Sequence, residues 1–120
     1  MRVVAILALM LATSPASAEA QRLTGDEISE LLPGIIASTN ATNQTFERNG
    51  DTGFTQDGRT RSGRWRVRDD FYCSLWPPSD AWRCYEVHLE ASGSDAPDRI
   101  IWVDPENREE TVNFILPKTQ

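Results

Sequence analysis

Between Gly63 and Leu89 the chain reads GRWRVRDDFYCSLWPPSDAWRCYEVHL, a stretch that holds both cysteines, both tyrosines and three of the four tryptophans. Trp65 and Val67 alternate with Arg64, Arg66 and Arg68, and Phe71, Cys73 and Leu75 alternate with Tyr72, Ser74 and Trp76. A period of two is the repeat of a β-strand, so the stretch predicts three antiparallel strands. With Pro77 to Asp80 as a four-residue loop, Trp76 faces Ala81, Leu75 faces Trp82, Cys73 faces Cys84 and Tyr72 faces Tyr85. Opposed residues at a non-hydrogen-bonded site of an antiparallel pair stand about 4.5 Å apart at Cα, within reach of a disulfide. A Cys73–Cys84 bridge is therefore expected. Other cysteine chemistry fails on spacing: redox dithiols and c-type haem attachment need two intervening residues. A zinc site needs four ligands, where this chain has two cysteines and one histidine.

A lasting disulfide requires an oxidising compartment, and the start of the chain supplies a route to one. Met1-Arg2 is a positive end, Val3 to Ala12 is an apolar run too short to span a bilayer, and Ala16-Ser17-Ala18 is a small-residue cleavage pattern. A signal peptide over residues 1–18 and a single β-rich domain over 19–120 are expected. The setting is periplasmic or secreted, with no stable membrane insertion. Loss of Arg2 with the leader makes an already acidic chain, formally −6, slightly more so. That balance argues against nucleic acid and anionic membrane surfaces as partners. About a hundred residues form one core, small enough to profit from a covalent staple. Asn40-Ala41-Thr42 and Asn43-Gln44-Thr45 match the glycosylation acceptor pattern, which matters only in a eukaryotic host.

Thr24 stands three residues before Glu27, the spacing of a capping box, and Ile28, Leu31 and Leu32 follow at helical intervals until Pro33-Gly34. A helix over Gly25 to Leu32 is too short to stand alone and should dock on a sheet. Weak strands are expected over Ile35 to Thr39 and Gln44 to Arg48. Asn49-Gly50-Asp51 and Asp57-Gly58 are turn signals around Gly53 to Gln56. The cluster from Asn49 to Gly58 lacks the twelfth-position glutamate and flanking helices of a calcium loop. Asp69-Asp70 is a turn between strands, since adjacent strand residues point to opposite faces and make no carboxylate pair. Ile100 to Val103 is a continuous apolar run suited to a strand covered on both faces. Val112, Phe114 and Leu116 alternate in a last strand. The fold class is mainly β: an antiparallel meander of seven to eight strands forming a partial or complete barrel, with one short N-terminal helix.

Asp57-Gly58-Arg59, Ser62-Gly63-Arg64-Trp65-Arg66-Val67, and Tyr72-Cys73-Ser74-Leu75-Trp76-Pro77-Pro78-Ser79 with Trp82-Arg83-Cys84-Tyr85 resemble small exported alphaproteobacterial proteins of unassigned function. The likeness covers mainly Asp57 to Val87, about a quarter of the chain. It implies a periplasmic β-rich domain with a paired-cysteine hairpin and carries over no catalytic residue. The glycine-x-tryptophan strand is also loosely similar to lipocalin-like barrels.

The search for chemistry points away from an enzyme. His88 is the only histidine, shares a strand face with Glu86 and Glu90, and has no serine elbow to serve. No phosphate-binding glycine loop precedes a helix, and neither a cofactor nor a metal is implied. Two surface features read as binding sites. Arg59, Arg61, Arg64, Arg66, Arg68 and Arg83 are six of the twelve basic residues, a face that could hold an anionic ligand or an acidic envelope protein. Trp76, Pro77, Pro78 and Trp82 form a stiff aromatic loop, with the Trp76-Pro77 bond a candidate for cis. The expected function is a non-catalytic periplasmic binding domain that uses Arg64, Arg66, Arg68, Arg83 and this loop. Two alternatives stand beside it. One is an inhibitor of a secreted hydrolase such as a lysozyme. The other is a lipocalin-like carrier of a small apolar ligand, in an interior lined by some of Phe46, Phe54, Trp65, Trp102 and Phe114.

Overall fold

The computed structural model describes residues 20–93 and 95–118. The signal peptide expected over residues 1–18 lies outside the described residues. The capping box forms as its spacing requires: the Glu27 amide donates to Thr24 Oγ1, and the Thr24 amide donates to Glu27 Oε1. It starts helix α1 (Gly25–Leu31), which tightens into a 3-10 turn at Leu32–Gly34, where Pro33 supplies no amide hydrogen. A two-residue strand that the sequence did not announce, β1 (Gln21–Arg22), precedes it.

The remaining strands are β2 (Ile35–Ser38), β3 (Thr42–Phe46), β4 (Asp51–Gln56), β5 (Arg59–Arg68), β6 (Phe71–Leu75), β7 (Arg83–Glu90), β8 (Arg99–Val103) and β9 (Glu110–Pro117). Each pairs antiparallel with the next, and β9 returns to β2, so eight strands close into a barrel. β1 adds a short pairing on β7. Closure removes the free edges on which chains would otherwise pair. The Asp57-Gly58 hairpin has two residues in the left-handed region, φ 53° and 74°, matching the twist of its strands. Asp69-Asp70 also turns in two residues, as expected, and Asp70 Oδ1 accepts from the Gly25 amide at 2.8 Å, fastening the helix to that turn.

The β6–β7 register is the expected one. Tyr72 faces Tyr85 and Cys73 faces Cys84, and the two cysteines form the disulfide with a Cα separation of 4.0 Å. Pairing stops at Ser74–Arg83, so the connection runs from Trp76 to Trp82 and is longer than the four-residue loop expected. Two consecutive prolines offer no amide to the ladder. The cis bond is Pro77–Pro78, one bond beyond the candidate position.

Phe46, fully buried, is the centre of the core, although its strand looked weak in sequence. Its ring lies 5.7 Å from Trp65, 5.7 Å from Tyr72 and 6.0 Å from Trp102 between centroids. Ile28 and Leu32 join it from the helix and Leu23 from the segment before it, so the helical end of the barrel is plugged by side chains. Ile100 to Val103 are all buried, as a doubly covered strand requires. In β9 the expected alternation occurs with the opposite sense. Val112, Phe114 and Leu116 are 46, 42 and 38 % exposed, while Asn113 and Ile115 take the interior side. The register ties Asn113 to Ile100 and Ile115 to Ala37, and a slip of one residue would reverse every side chain. Phe114 therefore does not line the barrel.

Candidate functional site

Inward-facing positions divide the barrel into two halves. Toward the helix they are Phe46, Trp65, Val87 and Ile100 with the plug, close-packed. Toward the other end, where the loops Asp57-Gly58 and Trp76–Trp82 lie, the strands leave a cavity of about 370 Å³. Its aromatic wall is Phe54, Tyr72, Trp76, Tyr85 and Trp102, and its polar wall is Gln44, Ser74, Asn113, Arg61 and three threonines, Thr39, Thr42 and Thr111.

Local sequence explains the wall. Gly63 precedes Trp65 by one turn of the pleat and would face Trp76 across the ladder. A Cβ there would meet the Leu75 carbonyl oxygen at 2.6 Å and the Trp76 ring at 2.7 Å. Only glycine lets the indole lie over β5. Trp76 Nε1 donates to Ser74 Oγ at 3.2 Å, and the Phe54 ring meets the indole edge-on at 6.2 Å between centroids. On the floor, Gln44 Nε2 donates to the Tyr72 hydroxyl at 3.0 Å and to Thr52 Oγ1 at 3.1 Å. Trp102 Nε1 donates to Asn113 Oδ1 at 2.8 Å.

Burial pushes the Tyr72 phenol up to about 12, outweighing hydrogen bonds from Ser74 and Gln44 that favour the phenolate. The group holds its proton more tightly folded than unfolded, where it ionises near 10. Its contribution to stability is thus fully present below pH 10 and is lost as pH rises from 10 to 12. Urea titrations across that range should show the wild type losing more stability than Tyr72→Phe. Parallel alkaline limbs for the two proteins would contradict the buried phenol.

The eight residues expected to bind fall on different surfaces. Arg64, Arg66 and Arg68 lie on the outer wall of β5, away from the cavity. Arg64 is paired with Asp51 at 2.7 Å, and the Arg66 guanidinium stacks on the Trp82 ring at 4.0 Å. Trp82 thus belongs to the outer wall, on the side where Cys73 and Cys84 lie opposite Arg66 in register. Trp76 belongs to the cavity. Pro77 and Pro78 are exposed at the rim between them, and Arg83 opens β7 across from the cavity residue Ser74. Tyr72, Gln44, Asn113 and Arg61 were not anticipated as cavity residues. The available signal was parity, since Arg59 and Arg61 share the odd positions of Trp65 and Val67, not the even positions of the outer arginines.

His88 belongs to a small polar cluster around Glu86. On the outer face of β7, its Nε2 lies 3.1 Å from Oε1 of Glu86, a carboxylate 7 % exposed and also bonded to Arg108. The Arg108 hydrogen bond, with lesser help from His88 and Arg22, holds the Glu86 carboxyl below its usual range despite its burial. Among the described residues no cluster of three metal-ligating side chains occurs, and no helix is long and apolar enough to cross a membrane. Comparison with protein-family profiles, with curated proteins and with solved structures returns no match.

Proposed function

We propose that this chain is a non-catalytic binder of a small molecule, held in the open half of its barrel. The observation that carries this reading is the division of the interior: side chains fill one end and leave about 370 Å³ with aromatic walls at the other. That volume is within the range of small-molecule sites, roughly 300–1,000 Å³, which combine aromatic walls with polar groups that fix the ligand's orientation. Eight strands also make a barrel just wide enough to hold one small ligand. The disulfide, together with the expected leader, supports a periplasmic or secreted setting. The outer arginines are less suited to the role, because Arg64, Arg66 and Arg68 lie outside the cavity and Arg64 is already paired with Asp51.

The test uses the neutral fluorescent probe N-phenyl-1-naphthylamine, whose emission rises on leaving water and which can accept energy from Trp76 and Trp102. Binding at a single site is expected. Thr111→Trp, which adds a large side chain to the cavity wall at an already exposed position, should weaken it by about tenfold or more. Equal binding by the filled variant, or no binding by the wild type, would refute the reading.

A further inference from the structure

We infer that the cavity selects a compact apolar or aromatic molecule bearing one oxyanion, which Arg61 receives at the mouth. The inference rests on the pocket reading above and adds the charge of the ligand. The chain has eighteen acidic residues against twelve basic ones, yet none of the residues lining the cavity is acidic and one is arginine. The Arg61 guanidinium lies 5.6 Å from the centroid of the Trp76 ring. Among the described residues no carboxylate stands within 4.0 Å of it, whereas Arg64, Arg99 and Arg108 each have one. A guanidinium held against an indole is preorganised and partly desolvated on one side, so an arriving carboxylate or sulfonate meets a fixed fork of donors.

Several acceptors of the neutral wall are already engaged. Ser74 Oγ accepts from Trp76, Asn113 Oδ1 accepts from Trp102, and the Tyr72 oxygen accepts from Gln44. Thr39 and Thr42 hydroxyls bond each other at 2.7 Å. Among the described residues, the Asn113 amide nitrogen, a donor, makes no hydrogen bond, and neither do the Tyr85 and Thr111 hydroxyls, which donate as well as accept. Gln44 Oε1 is an acceptor that stays open. Spare donors in a wall without a carboxylate suit a ligand that brings acceptors. On the approach, Arg59 lies beside Arg61, with Asp57 on the adjoining turn, and no ion pair joins Asp57 to either arginine. The approach therefore carries two cations and one anion.

The experiment compares 8-anilinonaphthalene-1-sulfonate with N-phenyl-1-naphthylamine, which share a ring system and differ by the sulfonate. The wild type should bind the anion about tenfold more tightly, the scale of a charge-assisted hydrogen bond. Arg61→Gln should erase that preference by weakening the anion about tenfold more than the neutral probe, while Arg61→Lys keeps part of it. Arg68→Gln, on the outer wall, should change neither affinity. An anion-to-neutral ratio that survives Arg61→Gln, or that falls equally with Arg68→Gln, overturns the charge assignment while the cavity still binds. Failure of both probes to bind removes the cavity reading itself.

Discussion

Phe46→Ala is expected to lower stability by about 3–5 kcal/mol, the cost of deleting a fully buried phenylalanine and leaving its space unfilled. The ring sits among Trp65, Tyr72 and Trp102, three large side chains on β5, β6 and β8, which do not collapse easily into a gap. Small domains have about 5–15 kcal/mol in total, so the variant would be near its folding limit at ordinary temperature. A melting point lower by roughly 12–40 °C follows from about 4–8 °C per kcal/mol. Phe114→Ala is the matched control: it makes the same chemical change at a residue 42 % exposed on the outer wall, and should cost far less. Equal losses from the two would mean that the packed half of the barrel is wrongly placed.

The second large effect is covalent. The bridge closes a loop of sequence separation 11, and loop-closure entropy for a ring of that size is worth about 3 kcal/mol. The double variant Cys73→Ala, Cys84→Ala should lose that amount by urea unfolding, and wild-type protein in reductant should match it. Cys73 is fully buried, so alanine rather than serine avoids stranding a hydroxyl. Loss of the bridge also frees the two strands that flank the Trp76–Trp82 connection, and hence the Trp76 wall of the cavity. Probe affinity should therefore fall along with stability. Reduced protein that unfolds at the wild-type midpoint would rule the contribution out.

Much of this arrangement was legible before the structure. The cap at Thr24, the turns at Asp57-Gly58 and Asp69-Asp70, and the opposition of Cys73 to Cys84 each depend on residues close in sequence, and each is formed. The weight of Phe46 was not legible, because its strand has no other large apolar residue and its partners come from three distant strands. The arginines were grouped by composition, whereas alternation divides them between two walls. Arg61 then differs from Arg64 by what surrounds it: one lies on an indole at a cavity mouth, the other against Asp51.

By itself the sequence determined the antiparallel strands, the short capped helix and the hairpin clasp. The reason is that dihedral preference, two-residue alternation and loop closure act over a few residues. Tertiary structure alone decided that the sheet closes, which half of its interior fills, and that Val112, Phe114 and Leu116 face outward. Alternation says that two faces of a strand differ, but only pairing with β8 and β2 assigns one of them to the inside. In β9 that inside face includes Thr111 and Asn113, part of the polar wall of a cavity that seven strands, β3 to β9, had to enclose together with Thr39 and Trp76 from their connections.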